Sequence, residues 1–155
     1  MTKEVFVIDT EGDGLAYDCT KLHVMSWTQD GKTFTSTPDY DEMRGFLLKP
    51  DRLFVAHNIV DHDLVTFWRI LGLTPEQINY TMCWDSLWMS RYLFPDRGAH
   101  GLGALGKEHG VKKPEVNDWI NGSYETYKHR CEEDVKINWL EYVKQKNRLE
   151  EIYGN

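Results

Sequence analysis

The sequence predicts an α/β protein with a mixed central sheet flanked by helices. Strand-like segments fill the first 40 residues, helices and short strands alternate after them, and a long helical pattern ends the chain. The 155 residues can bury one substantial core. Repeats, low-complexity blocks and long linkers are all missing, so we expect one domain over residues 1–155.

The first three segments predict strands and a hairpin. Residues 4–9 are rich in β-branched and aromatic side chains, and Gly12 and Gly14 end the run. Residues 21–27 and 32–37 flank Asp30-Gly31, which is a strong hairpin-turn signal. We therefore expect three strands before residue 40.

The rest of the chain predicts helices and two short strands. Helical spacing covers residues 40–48, 63–71, 86–94 and 101–109, and the short strands are 53–57 and 80–84. The last helix covers about residues 124–153, with Ile137, Leu140, Val143 and Leu149 at helical intervals.

Composition excludes several classes of protein. Apolar residues make up 41% and charged residues 28%, which is typical of a globular protein and not of collagen or a disordered tail. Apolar runs such as residues 5–8 are too short to span a bilayer, and we see no secretory signal. Three widely spaced cysteines argue against a disulfide scaffold or a zinc ribbon, and we expect buried free thiols in a reducing cytoplasm.

The charge limits how the protein could bind nucleic acid. Asp and Glu number 25 against 18 Lys and Arg, which gives a net charge of −7. Proteins that grip long duplexes by neutralising phosphates are usually basic. Either this protein does not bind nucleic acid, or it binds a short piece with the help of bound cations.

Asp9 and Glu11 stand two positions apart at the end of the first predicted strand. Residues at this spacing point to the same face of a strand, so the two carboxylates should lie close together. Like charges that close raise each other's pKa unless a cation lies between them. Divalent metals prefer carboxylate oxygens, whereas a metal-free acidic pair facing a turn is the alternative.

A second acidic segment covers residues 57–64, between a predicted strand and a predicted helix. Asp63 at the helix start is either an N-cap or a metal ligand, and Asp61 competes for the same position. We favour Asp63 because Leu64 and Phe67 follow it with the apolar spacing of a helix.

A third acidic segment covers residues 129–134. His129 and Asp134 are five positions apart, which separates them by about 140° on a continuous helix. They can converge only if His129 lies in the loop or the first turn. A solvated, charged helix start is the alternative.

Taken together, these segments predict a two-metal centre. The predicted ligands are Asp9, Glu11, Asp63 and Asp134, with His129 as the base beside the last of them. Such acidic clusters hold two ions about 3.5–4 Å apart, which stabilise the attacking and leaving oxygens of a phosphodiester displacement. The ions would also supply the positive field that the acidic chain lacks.

With these motifs in order, the sequence resembles the DEDD (DnaQ-like) 3′→5′ exonucleases, a branch of the ribonuclease H-like fold. Residues 9–15 are similar to the first motif of the family, His57-Asn58 with Asp63-Leu64 to the second, and His129 with Asp134 to the third. Segments of residues 85–106 are similar to the proofreading exonuclease domain of bacteriophage family A DNA polymerases: Asp85-Ser86-Leu87, Ser90-Arg91, His100-Gly101-Leu102 and Leu105-Gly106. The resemblance covers about residues 5–142.

The resemblance implies a role for each matched residue. Asp9 would bridge two Mg²⁺ or Mn²⁺ ions, Glu11 and Asp134 would complete the site of one, and Asp63 would support the other. Leu15 would pack against the terminal base, backbone amides near Gly12 would meet the 3′-hydroxyl, and Asn58 would lie near the substrate.

One position departs from the phage polymerase pattern. Those domains usually carry Tyr four residues before the last Asp, and this chain has Arg130 there. A histidine five residues before that Asp is the arrangement of the DEDDh branch, which His129 fits. We therefore assign His129 to orient or deprotonate the attacking water. The chain also has His62 where the family usually has an aromatic residue before Asp63.

The expected function is hydrolysis of single-stranded or frayed 3′ ends, DNA favoured, to nucleoside monophosphates. A polymerase subunit is a candidate partner, and the cytoplasm (the host cytoplasm for a phage protein) is the expected location, without a membrane. The alternatives are an RNA-directed exonuclease of the same fold and a non-catalytic binding module. Trp119 is our candidate for stacking on a base, and Lys112-Lys113 could contact phosphate.

Overall fold

The computed structural model describes residues 2–154. Its strands are β1 (Glu4–Gly12), β2 (Leu22–Thr28), β3 (Thr35–Thr37), β4 (Arg52–Ala56) and β5 (Cys83–Asp85). Its α-helices are α1 (Tyr40–Leu47), α2 (Asp63–Arg69), α3 (Ser86–Leu93), α4 (Leu102–His109) and α5 (Tyr124–Tyr153). A 3₁₀ turn, Tyr80–Met82, precedes β5.

Within residues 2–154, the five strands form one mixed sheet in the order β3-β2-β1-β4-β5. The first three strands pair antiparallel, whereas β1 pairs parallel with β4 and β4 pairs parallel with β5. The predicted fold class, an α/β protein with a mixed sheet, is confirmed, and so are three strands before residue 40.

Alternation along β1 divides the core between the two faces of the sheet. Phe6 and Ile8 pack on one side, in a cluster to which α1 and α2 contribute Phe46 and Phe67. Val7 points to the opposite side and joins a smaller cluster with residues of α5. Helices α3 and α4 in turn pack against α5. Asp9 and Glu11 continue the side of Val7, so both carboxylates face α5.

The helices begin and end at recognisable capping residues. Asp39 caps α1 and Asp85 caps α3, each by accepting two backbone N–H groups. Ser123 caps α5 by accepting the N–H of Thr126. Gly110, with φ of 74°, ends α4 in the left-handed conformation that glycine adopts without steric cost.

Three predicted elements differ from the structure. Strand β1 is longer than residues 4–9, because its pairing with β2 continues to Gly12. The Asp30-Gly31 turn joins β2 and β3 through residues 29–34 rather than by a two-residue loop, since Asp30 Oδ1 accepts the N–H groups of Lys32 and Thr33. The predicted strand 80–84 opens as the 3₁₀ turn, which Asn79 caps.

Cys19, Cys83 and Cys131 are free thiols; Cys19 and Cys131 are buried as predicted, and Cys83 is half-buried. None of the helices in residues 2–154 combines the length and apolarity that crossing a membrane requires.

Candidate active site

The site forms where β1 extends beyond its parallel neighbour. β1 pairs with β4 only over Glu4–Val7, whereas its pairing with β2 continues from Val7 to Gly12. The second half of β1 therefore has a free side above the carboxyl end of β4. Asp9 and Glu11 lie on this part of β1.

Three acidic side chains converge beside this half of β1. Carboxylate oxygens of Asp9, Glu11 and Asp134 all lie within 4.8 Å of one another. Asp9 and Glu11 share a face of β1 because they are two positions apart, which the sequence predicted. Asp134 arrives from α5, more than 120 residues later in the chain.

A buried stripe on α5 aims Asp134 at β1. Cys131, Asp134, Val135 and Asn138 are all buried and recur at the three- and four-residue spacing of one helix face. The Sγ of Cys131 donates to the carbonyl oxygen of Asp9 at 3.3 Å. Burial raises the pKa of the Cys131 thiol well above its usual value, so this donor keeps its proton.

Asp63 lies next to the three acids but is held separately. It is the first residue of α2 and is buried, and its Oδ1 accepts a hydrogen bond of 2.8 Å from the Oγ1 of Thr10. His62 Nδ1 lies 4.0 Å from the same oxygen. The charge of Asp63 still contributes to raising the pKa of Asp9. The structure therefore brings all four predicted acids into one region, three of them in direct proximity.

The three-acid cluster has the properties of a cation site. Asp9 Oδ2 and Asp134 Oδ1 are buried and have no hydrogen-bond partner among the described residues. Burial, followed by the charges of Glu11, Asp134 and Asp63, raises the pKa of Asp9 well above 3.8. Burial and the Asp134 charge likewise raise the pKa of Glu11. Hard divalent cations prefer such oxygens, so the residues fit a Mg²⁺ or Mn²⁺ ion.

Two basic side chains contact the same carboxylates. Arg130 Nε lies 3.4 Å from Asp134 Oδ2 and 3.9 Å from Glu11 Oε1. Lys113 Nζ lies 3.7 Å from Asp134 Oδ1. Both offset part of the negative charge, and both lower the pKa of Glu11 against the larger effect of burial.

A depression of about 320 Å³ opens beside the cluster. Its lining includes Glu11, Gly12, Leu15, Trp119 and Arg130. Leu15 is 74% exposed, which is unusual for an apolar side chain and leaves it free to contact a ligand. A Cβ at Gly12 would lie 2.9 Å from the carbonyl oxygen of Lys21, so a larger residue at this position would clash with the neighbouring backbone.

The loop that carries Leu15 is held at two points. Asp13 accepts the N–H groups of Thr20 and Lys21 and also the Thr20 hydroxyl, which closes the loop. Arg69, the last residue of α2, donates to the carbonyl oxygen of Ala16 at 2.5 Å and to that of Cys19 at 3.2 Å. The exposed apolar side chain of Leu15 is thus displayed on a fixed loop.

Asn58 lies in the turn between β4 and α2, outside the lining of the depression within residues 2–154. Its φ of 64° is left-handed, which Asn tolerates better than most residues. Asp85 stabilises this turn by accepting the N–H of Asn58 at 3.0 Å and that of Val60 at 3.2 Å. Asp85 therefore fixes the segment that leads into Asp63.

His129 does not lie in the loop or the first turn of α5, where it could approach Asp134. Helix α5 starts at Tyr124, so His129 lies in its second turn on a continuous helix. Its side chain is exposed and lines a different surface depression, together with Lys112 and Lys136. The residue of this turn that contacts the cluster is Arg130.

Neither a protein-family model nor a curated protein matches the chain. Solved structures do match. Brucella melitensis NrnC with bound Mg²⁺ is 17% identical with a TM-score of 0.73, over 99% of this chain and 77% of that one. Escherichia coli RNase D, an exoribonuclease involved in structured RNA processing, is 14% identical with a TM-score of 0.66, over 96% of this chain and 40% of that one. Exonuclease X in complex with 5′ overhanging duplex DNA is 17% identical with a TM-score of 0.58, over 92% and 91%.

The chain has the ribonuclease H-like fold. At these sequence identities the structural similarity establishes only the fold, and the chemistry has to be inferred from the residues of the site. In this ribonuclease H-like chain, the acids of β1, α2 and α5 are the residues that the motif resemblance indicates. The DEDDh branch and the similarity to phage polymerase domains stay predictions from those motifs.

Sequence reasoning missed the partners that position the acids. Thr10 lies inside the first acidic motif, and nothing in the local sequence predicts that its hydroxyl donates to Asp63. The contact of Arg130 with Asp134 could have been found, because residues four apart on a helix are neighbours. The role of Arg69 had no local signal, since its partners lie about 50 residues away.

Proposed function

We propose that the protein is a metal-dependent 3′→5′ exonuclease. It hydrolyses the terminal phosphodiester bond of single-stranded or frayed nucleic acid, DNA favoured, and releases nucleoside monophosphates. The observation that carries this proposal is the convergence of Asp9, Glu11 and Asp134, two of which bear buried carboxylate oxygens that accept no hydrogen bond from the described residues.

The proposed cofactor is a pair of Mg²⁺ or Mn²⁺ ions held by Asp9, Glu11, Asp63 and Asp134. Paired divalent ions stabilise the attacking and leaving oxygens of a phosphodiester displacement. Asp9 and Asp134 would supply the buried oxygens that accept no hydrogen bond from the described residues. The Thr10 hydroxyl fixes the orientation of Asp63 for its part in the site. The NrnC structure with bound Mg²⁺ supports the use of a divalent ion.

The depression next to the acids supports recognition of a chain end. Its volume of about 320 Å³ is at the lower end of the range for ligand pockets, so we propose that it holds one terminal nucleotide. Leu15 and Trp119 would contact the base, and the backbone near Gly12 would meet the 3′-hydroxyl. The NrnC structure bound to pGG supports a site for a short nucleic-acid end.

RNA is the second candidate substrate. The likeness to RNase D, an exoribonuclease, favours it, whereas the motif resemblance to polymerase proofreading domains favours DNA. A contact with the 2′-hydroxyl would separate the two sugars.

A digestion ladder tests the proposal. Single-stranded DNA and RNA of one sequence, labelled at the 5′ end, are incubated with Mn²⁺ or Mg²⁺. We expect ladders that shorten from the 3′ end, with no products in EDTA and none with Asp134→Asn. Glu133→Gln is the matched control, because it removes the neighbouring carboxylate, which lines a different depression. Internal cuts alone, or equal hydrolysis by Asp134→Asn, would overturn the proposal.

The partner and the location are proposed only from the motif resemblance. A polymerase subunit encoded separately would be the partner, and the cytoplasm would be the compartment. Co-purification of a polymerase with the tagged protein from its native cell would test the first, and fractionation of that cell would test the second.

A further inference from the structure

Arg130 lies between the acidic cluster and the depression. Its Nε is 3.4 Å from Asp134 Oδ2 and 3.9 Å from Glu11 Oε1, so one guanidinium bridges carboxylates of α5 and β1. The same side chain lines the depression that holds Leu15 and Trp119. A single cation therefore faces both the metal ligands and the space for a nucleotide.

Pro114 and Trp119 also contact the guanidinium of Arg130 and help to hold it in this position. Arg130 Nη1 donates to the carbonyl oxygen of Pro114, and the guanidinium carbon lies 5.5 Å from the centre of the Trp119 ring. Its side chain is 18% exposed. Among the described residues, its hydrogen bonds use Nε and Nη1, which leaves Nη2 without a partner.

The charges around the site show what this cation could do. With all four carboxylates ionised, Asp9, Glu11, Asp63 and Asp134 contribute four negative charges, and Arg130 and Lys113 beside them add two positive ones. Two divalent ions would add four more, which leaves a net charge of two positive. Two neighbouring phosphodiesters would balance that charge, whereas without the two basic residues the metal-loaded site would be neutral.

We propose that Arg130 is a phosphate-binding residue that exchanges partners. It pairs with Glu11 and Asp134 while the cluster holds no divalent ion, and it pairs with a backbone phosphate of the nucleic acid once an ion occupies the carboxylates. This inference rests on the proposed function for its ligand. It requires Arg130 to lower the affinity for a divalent ion and to raise the affinity for the nucleic acid, because its positive charge repels the ion and attracts the phosphate.

The first measurement is Mn²⁺ binding by calorimetry without nucleic acid. Arg130→Gln removes the competing charge, so we expect Mn²⁺ affinity to rise on the order of tenfold. Arg148→Gln is the matched control, since Arg148 pairs with Glu151 on the exposed side of α5. Arg130→Lys keeps a positive charge but not the planar fork, and we expect its Mn²⁺ affinity to stay near that of the unmodified protein.

The second measurement is binding of a single-stranded oligonucleotide in Ca²⁺, at several salt concentrations. We expect Arg130→Gln to weaken binding on the order of tenfold. The slope of the logarithm of the binding constant against the logarithm of the salt concentration should become shallower by about 0.7, the value for one lost phosphate contact on a single strand. Arg148→Gln should leave both quantities unchanged. Circular dichroism melting of each variant checks that the Pro114 contact is not needed for folding.

The outcomes separate this inference from the proposed function. Tighter Mn²⁺ binding together with weaker oligonucleotide binding supports the exchange of partners, even if no substrate is hydrolysed. Active hydrolysis with Arg130→Gln matching Arg148→Gln in both assays would overturn the exchange and leave the nuclease proposal intact. Tighter Mn²⁺ binding in Arg130→Lys as well would mean that the hydrogen bond of Arg130 to Pro114, and not its charge, limits metal binding. That result would also overturn the exchange of partners.

Discussion

Thr10 donates a buried hydrogen bond of 2.8 Å from its Oγ1 to Oδ1 of Asp63. Because side chains alternate along a strand, Thr10 faces the opposite side of β1 from its neighbours Asp9 and Glu11. One strand thus holds two metal-ligand candidates on one face and the support of a third acid on the other.

Thr10→Val tests this support, because valine has nearly the same shape and no hydroxyl. We expect the free energy of unfolding to fall by about 1.5–3 kcal/mol, the range for a hydrogen bond to a charged group, and metal-dependent hydrolysis to fall with it. Urea denaturation and an oligonucleotide assay measure the two effects. Thr10→Ser keeps the hydroxyl and should retain both stability and rate. Full activity of Thr10→Val would show that Asp63 does not need this bond.

Asp9→Asn should stabilise the metal-free protein at neutral pH. The folded-state pKa of Asp9 is raised above its usual value of 3.8, so ionisation costs more in the folded chain than in the unfolded chain. This cost is absent below about pH 4, grows as the pH rises towards the folded-state pKa, and stays constant above it. Urea midpoints between pH 4 and pH 8 measure it. We expect the variant to lose less stability than the unmodified protein over this range.

The same variant should lose its response to metal. Mn²⁺ at about 100 times its Kd stabilises a folded protein by about 2.7 kcal/mol. We expect this stabilisation to raise the melting temperature of the unmodified protein and to change that of Asp9→Asn very little. Asp61→Asn, which changes an exposed carboxylate near Asp63, is the control and should keep the gain. A full metal response in Asp9→Asn would contradict the placement of the ions.

Trp119→Ala should weaken substrate binding more than it slows hydrolysis at saturation. Trp119 lines the depression, and stacking of one base on an aromatic ring is worth about 1–3 kcal/mol. The KM for a short oligonucleotide should therefore rise, while Trp119→Phe keeps most of the binding. Trp88→Ala removes an indole that is 55% exposed outside this depression and serves as the control. Equal KM values for the two alanine variants would rule out stacking.

His129→Ala tests the base that the motif resemblance indicates. A general base contributes about 10²–10⁴ to the rate, and a loss of that size would support the assignment. The exposed position of His129 in the second turn of α5 leads us to expect a much smaller change. Lys136→Ala, which lines the same surface depression, is the control for a change of charge there. Single-turnover rates at saturating Mn²⁺ decide between the two.

Glu141→Gln should be the most destabilising of these changes. Glu141 is fully buried and accepts two hydrogen bonds from Arg97, at 2.7 Å and 2.9 Å. Removing one partner of a buried ion pair costs about 3–5 kcal/mol, and we expect the lower end of that range because Arg97 keeps its pair with Glu108 at 2.6 Å. Glu151→Gln breaks the exposed pair with Arg148 and should cost at most about 1 kcal/mol. Urea denaturation of both variants at neutral pH compares them.

The sequence predicted the α/β class and the mixed sheet, because element types depend on short-range patterns. Alternation along residues 4–11 is enough to place Asp9 and Glu11 on one face. It could not show that β1 continues to Gly12, since that extension depends on pairing with β2. Nor could it predict the bond between Thr10 and Asp63, which joins residues 53 positions apart.

The position of His129 shows where motif matching and helix geometry differ. A histidine five residues before an aspartate can converge with it only if the histidine lies in the loop or in the first turn of the helix. Ser123 caps α5 by accepting the N–H of Thr126, and the helix begins at Tyr124, five residues before His129. Serine is a preferred N-cap residue, so Ser123 indicates a helix that starts before His129.

The two contacts of Arg69 link parts of the site that are far apart in the sequence. Helix α2 begins with Asp63 and ends with Arg69, which holds the carbonyl oxygens of Ala16 and Cys19. A ligand that displaces the Leu15 loop would either break these two hydrogen bonds or shift the helix whose first residue is Asp63. If the depression holds a nucleotide as proposed, its occupancy would therefore be coupled to the orientation of the Asp63 carboxylate through the seven residues of α2.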